Sequence, residues 1–271
     1  MKIIDAHIHF RPDYEKFGFV AERAGHKNTK EHLDEVFEKN DIVHAIVMSN
    51  GDLSLENHTY PDNMSYCVGL DSNCFFNDTP VDYYIEMAEK HLQQKKCVGI
   101  KFYPGYTHHY IYEKMYEPFF ELARKYNKVV AVHTGATSRA DALLKYSHPF
   151  TLDEAAVKYP DVQFVMCHFG NPFLSEAAAV SEKNPNVAVD ISGILEGNFD
   201  EESFYKDNAF YVQMLSAWLR YPSAWDKIMY GTDFPIVNIE KYIRFVKKIV
   251  PEQYHEKVFY ENAKRIYKLD I

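Results

Sequence analysis

Runs of β-branched and apolar residues alternate with amphipathic segments about eight times along this 271-residue chain, and that rhythm points to a parallel sheet covered by helices. The extended runs are 2–9, 42–48, 66–70, 98–103, 128–133, 162–168, 187–191 and 227–231. Helical spacing predicts helices over 29–40, 81–94, 112–126, 152–158, 174–182, 209–220, 239–249 and 254–267. The first of these has Thr29 placed as an N-cap and Leu33, Val36 and Phe37 on one face. The stretch after the first run, with Arg11 and Pro12, reads as a loop. Eight strand–helix units at this length suggest a closed (β/α)8 barrel, for which about 250 residues is typical. An open doubly wound sheet is the competing architecture. No Pro/Gly/Ser-rich linker, low-complexity tract or short repeat interrupts the chain, so residues 1–271 are expected to form a single α/β domain.

The ends of the extended runs carry residues of one chemical kind. His7 and His9 close the first run. Side chains on a strand alternate between faces, so the two imidazoles are expected on one side, one pleat apart, able to grip a single ion. His133, His168 and Asp233 stand at the ends of three further runs. In an open sheet the first and last strands lie far apart. In a barrel they are neighbours, and only closure brings Asp233 next to His7 and His9. A barrel also places its active site at the C-terminal strand ends, where all five residues fall.

Composition narrows the partners. With 46% hydrophobic and 25% charged residues the chain has material for a sizeable core. A net charge of −9 without clustered basic residues argues against nucleic acid, and no apolar stretch is long enough to span a membrane. Cys67, Cys74, Cys97 and Cys167 show no C-x-x-C spacing. They read as reduced thiols, and with no signal-peptide pattern at the N-terminus a cytoplasmic location is expected. Cys167 adjoins His168 and, by alternation, is expected to face away from it. The expected partner is a small-molecule substrate; assembly into homo-oligomers stays open.

The local phrases Asp5-Ala6-His7-Ile8-His9, Gly99-Ile100-Lys101, Val132-His133-Thr134-Gly135, His168-Phe169-Gly170 and Gly231-Thr232-Asp233-Phe234-Pro235, with the closing Glu261 to Ile266, resemble the amidohydrolase superfamily. The branch most similar is that of the amidohydrolase-related enzymes, and the resemblance runs over nearly the whole chain. It implies a metal held by His7, His9, His133 and Asp233, with zinc suited to such a ligand set. In one-metal members the sixth-strand histidine stands beside the activated water, which makes His168, with Asp233, the implied acid/base group. In two-metal members it is a ligand, and a carbamylated lysine on the fourth strand bridges the ions. Lys101 is the residue on which that choice turns, with one Zn²⁺ favoured.

The resemblance implies metal-dependent hydrolysis of an ester, lactone or amide in a small, carboxylate-bearing molecule. Nonoxidative decarboxylation is the alternative, and a nonenzymatic metal-binding protein a third reading. Lys101, Arg11 and Arg139 are candidates to hold a substrate carboxylate. Tyr103, Tyr106 and Asn171 are candidate pocket residues. Asp5, expected on the His7/His9 face one layer deeper, and Asp190 are candidates to orient a ligand or to serve as structural hydrogen-bonding groups. His108 and His109 lie too far past the fourth strand to join the site.

Overall fold

The structure, a computed structural model, describes residues 1–12, 14–49, 53–71, 74 and 79–271. Its centre is an eight-stranded parallel sheet whose spatial order follows the sequence: β1 (Ile3–Ile8), β2 (Ile42–Met48), β3 (Met64–Leu70), β4 (Cys97–Phe102), β5 (Val129–Val132), β6 (Phe164–Met166), β7 (Val187–Asp190) and β8 (Ile228–Met229). The outer layer contains α1 (Glu15–Arg23), α2 (Lys30–Lys39), α3 (Val81–Leu92), α4 (Glu117–Lys125), α5 (Leu144–Ser147), α6 (Pro149–Lys158), α7 (Leu174–Lys183), α8 (Glu201–Asp207), α9 (Ala209–Arg220), α10 (Ile239–Ile249) and α11 (Asn262–Ile266). The Thr29 hydroxyl accepts the His32 amide at 3.3 Å, capping α2 as its sequence predicts. Helix α1 falls where a loop was expected. It buries only Ala21 and has no side-chain N-cap, so neither a core stripe nor a capping signal marks it. No helix among the described residues is long and apolar enough to cross a membrane.

Alternation along the strands builds two cores. Ile46 and Met48 of β2, Ala131 of β5, Val165 of β6, Ala188 of β7 and Met229 of β8 fill the barrel, and Ala263, Ile266 and Tyr267 close its floor. Their strand neighbours Val47, Val130, Phe164 and Val189 face the helices. The barrel closes beyond β8 by main-chain bonds. Ala6 N donates to Tyr230 O at 2.9 Å, Asp233 N to His7 O at 2.7 Å and His9 N to Phe234 O at 2.6 Å.

Strict alternation fails at β1, and this corrects one sequence expectation. Ile4 and Ala6 belong to the barrel interior while Ile3 and Ile8 belong to the outer core. The pairing with β2 shifts register between Asp5 and Ile8. A bulge of this kind inverts the parity of the residues after it, so Asp5 does not share a row with His7 and His9. Its carboxylate instead fastens the closing seam. Oδ1 accepts from Thr232 N at 2.9 Å and His7 N at 3.2 Å, and Oδ2 accepts from the Thr232 hydroxyl at 2.6 Å. Burial pushes this carboxyl up, to about 7, while the three donors pull the other way.

Asp5→Ala leaves three buried donors without an acceptor. We expect a loss of about 3 kcal/mol in unfolding free energy, read from urea titration with the m-value unchanged. A loss under about 0.5 kcal/mol, the scale of a surface substitution, would contradict the bracing role.

Candidate functional site

Three of the expected residues meet closely at the C-terminal rim. One ligand atom from each of His7, His9 and Asp233 lies within 4.8 Å of the other two. Asp233 Oδ1 stands 3.4 Å from His7 Nε2 and 3.2 Å from His9 Nε2. Asp233 reaches this position through a left-handed backbone (φ 63°) just past β8. Gly193, also left-handed, leaves the room its carboxylate needs, since a Cβ there would come within 2.8 Å of Oδ2.

Hydrogen bonding fixes the His7 tautomer. Its Nδ1 lies 3.0 Å from Asp190 Oδ2, and an ionised carboxylate only accepts, so Nδ1 carries the proton. Nε2 is then a bare lone pair turned toward Asp233 Oδ1, another acceptor. Both atoms are buried, and among the described residues neither has a partner in good hydrogen-bond geometry; His9 Nδ1 is likewise buried and unpartnered among them. Two buried acceptors facing each other at 3.4 Å leave a deficit that a cation would cancel. The donor set is nitrogen and carboxylate oxygen, which suits zinc and similar divalent ions. Burial pushes the His7 imidazole down to about 4, keeping it neutral. For Asp190 and Asp233 burial works against ionisation, but the surrounding imidazoles, His7 foremost, hold both carboxyls well below their ordinary range.

His168 and His133 form the next row. The His168 ring centroid lies 4.8 Å from His7 and 4.9 Å from His133, and both residues fall outside the tight group. His168 Nδ1 sits 3.2 Å from the Ser192 carbonyl and 3.0 Å from the Ser192 hydroxyl. A carbonyl can only accept, so Nδ1 carries hydrogen and Nε2 is bare. The Ser192 hydroxyl donates to Asp190 Oδ1 at 2.5 Å, and the His168 amide donates to the same oxygen at 3.0 Å. Asp190 thus holds His7 and His168 together, the orienting role its sequence position allowed. Ser192 was not expected, although it lies two residues beyond Asp190 on the same side. His133 Nε2 donates to Ala136 O at 3.0 Å, leaving Nδ1 as its bare nitrogen. Burial holds both imidazoles below the ordinary histidine value, His133 strongly.

The turn after β6 revises the expected orientation of Cys167. His168, Phe169 and Gly170 all adopt positive φ, so strand alternation ends at Met166. Cys167 follows Val165 into the barrel, where its Sγ groups with His7 and Asp190. His168 is brought to the site by the left-handed turn instead of being turned away.

The expected substrate-binding residues separate. Lys101 is fully buried and donates to Cys167 Sγ at 2.8 Å, with Nζ 5.3 Å from the Tyr103 ring centroid. It lies beneath the candidate site, where its charge helps hold the His7 and His133 imidazoles down. Tyr103 is buried and donates to Ser49 O at 2.9 Å. Asn171 Oδ1 accepts from Tyr211 at 2.8 Å. Arg139 is exposed and bound to Asp141 two residues on. Tyr106 sits beside the His133 ring, at 5.1 Å between centroids. Arg11 lines a cavity of about 400 Å³ that opens beside His9 and includes Ser49, Asn57, His58 and Tyr60. His108 and His109 are tied to Asp141 and Glu113, as their distance from the strand end suggested.

A family model described as Amidohydrolase matches residues 75–269, more than half of the chain, and the chain belongs to that family of enzymes. No curated protein matches it in sequence. Among solved structures it is similar to 2,6-dihydroxybenzoate decarboxylase from Rhizobium (15% identity, TM-score 0.71, 100% of both chains). It is also similar to an amidohydrolase from Burkholderia multivorans with bound zinc (14%, TM-score 0.67, 99% of this chain and 100% of that one). A third likeness is a probable 2-pyrone-4,6-dicarboxylic acid hydrolase from Acinetobacter baumannii (14%, TM-score 0.66, 99% and 100%). At these identities the likenesses establish the (β/α)8 barrel and no more.

Asp190→Asn replaces an acceptor-only group with an amide and loosens the His7 tautomer. We expect metal affinity, measured by competition with a chromophoric chelator, to fall roughly 10–100-fold while the fold is retained. Unchanged affinity would separate Asp190 from the site.

Proposed function

We propose that the protein is a metal-dependent hydrolase acting on an ester, lactone or amide bond of a small carboxylate-bearing molecule. The observation that carries this reading is the pair of unpartnered buried atoms, His7 Nε2 and Asp233 Oδ1, beside the His168 ring, whose Nδ1 lies 4.0 Å from Asp233 Oδ2. His7, His9 and Asp233 would hold one divalent ion, zinc by donor type, with His133 Nδ1 as the fourth donor from the adjacent row. Such an ion supplies activation of water and polarisation of a carbonyl. His168 takes the proton of the attacking water at Nε2 and returns it to the leaving group; its depressed basicity keeps it unprotonated and ready at neutral pH. Ser192 and Asp190 fix the ring throughout. Arg11, at the cavity beside His9, holds the substrate's carboxylate.

The likeness to a decarboxylase supports a second reading, loss of CO2 from a small carboxylic acid at the same site. Hydrolysis in H2¹⁸O labels the product, whereas decarboxylation releases CO2 without net incorporation of water. The direct test is turnover by metal-loaded protein of a panel of lactones, esters, amides and aromatic acids. Tight specific binding with no turnover of any member would refute both enzymatic readings.

Two substitutions divide the roles. His168→Asn is expected to lower kcat by roughly 10²–10⁴-fold while metal content stays at one ion per chain. Loss of an ion from a wild type holding two would instead make His168 a ligand. The double change His7→Ala with His9→Ala is expected to abolish metal binding and turnover together in a folded barrel, since both residues lie at the rim and outside the packed layers. Full metal occupancy in that variant would end the assignment.

A further inference from the structure

Helix α1 stands between β1 and α2, where the strand–helix rhythm needs only one helix. Its two ends are held differently. Toward the C-terminus Ala21 is buried, Arg23 O accepts from Asn198 N at 3.1 Å and Ala24 O accepts from Asn238 Nδ2 at 2.9 Å. Toward the N-terminus, residues 14–20 make no hydrogen bond or ion pair, among the described residues, with anything outside 11–24. Phe17, Phe19 and Val20 join neither apolar core. What this end touches is the candidate site. The Tyr14 ring lies 5.0 Å from Arg11 Cζ, and the Phe17 ring meets Tyr14 at 5.1 Å and His9 at 6.1 Å between centroids.

Gly18 stands between the held end and the loose one. A Cβ there would meet nothing within 4 Å, so no close contact demands glycine, and its freedom weakens the helix at that point. The site beneath is open on one side only: the His9 and Asp233 side chains are 16% and 14% accessible and that of His7 is 0%. Solvent therefore reaches the three ligands on the side where Phe17 lies against His9. We infer that residues 14–17 are a flap, hinged at Gly18, that swings away from His9 to let an ion or substrate in and out. What the flap covers rests on the metal-site assignment above; that it moves rests on α1 alone.

Hydrogen exchange on the metal-free full chain reads the hinge. The amides of residues 19–21, in the second turn of α1, are expected to exchange roughly 100-fold faster than those of 34–36, which hold the same positions in α2. Gly18→Ala should slow them about fivefold, because alanine fits the open space and favours the helix. Protection equal to that of α2, or no response to Gly18→Ala, would overturn the hinge. Stopped-flow binding of Zn²⁺, and its release into excess chromophoric chelator, read the gate. A gate slows entry and exit alike, so Gly18→Ala should lower both rate constants about fivefold, and Phe17→Ala should raise both, with Kd unchanged in each. A changed Kd at an unchanged association rate would make Phe17 a prop for His9 and overturn the gate. A chain that binds no zinc would overturn the metal assignment and the gate with it, whereas the hinge stands or falls on the exchange measurement. Circular dichroism melts check that both variants are folded; Phe17 and Gly18 lie outside the cores, so little change is expected.

Discussion

The rim of this barrel depends on a seam. Strand β8 is two residues long, too short to close a cylinder by ladder pairing alone. Closure is completed by main-chain bonds from Ala6, His9 and Asp233 and by one carboxylate, Asp5, which grips Thr232 through both amide and hydroxyl. The amide of Asp233 is itself one of the seam's donors, to His7 O. The contact that seals the sheet therefore sets the distance between two residues of the site, and fold and chemistry share one set of hydrogen bonds.

The aiming of side chains rests on departures from regular strand geometry. A bulge in β1 turns His7 and His9 inward, and left-handed backbone at His168, Phe169 and Asp233 brings the other groups to the rim. Such conformations cost about 1–2 kcal/mol at each non-glycine residue and persist only where the surroundings enforce them. Here the enforcement is visible. Asp190 accepts the His168 amide, and at Gly135 a Cβ would lie 2.2 Å from Asn171 O, so the turns after β5 and β6 interlock without room for a side chain.

Much of this was legible in the sequence. The eight strands, the helices that follow most of them and the strand-end positions of His7, His9, His133, His168 and Asp233 follow from periodicity, because a strand's apolar run and a helix's apolar stripe are local signals. Three matters were not legible, each for a physical reason. The bulge that displaces Asp5 from the histidine row depends on register with β2, a long-range property. The inward turn of both Cys167 and His168 depends on positive φ at a histidine, which residue identity does not disclose. The destinations of Lys101 and Arg139, one beneath the histidines against Cys167 and the other on the surface against Asp141, depend on where long flexible side chains find partners.

The placement of the thiols has a practical consequence. All four cysteines are unbridged and buried, and Cys167 lies beneath the histidines with Lys101 against its sulfur. Reagents that modify accessible sulfur therefore have little to attack on the native molecule. A single cysteine introduced on the helical exterior would be the one fast-reacting position, so the chain can be tagged with a fluorophore or spin probe at a chosen point without first removing its own thiols.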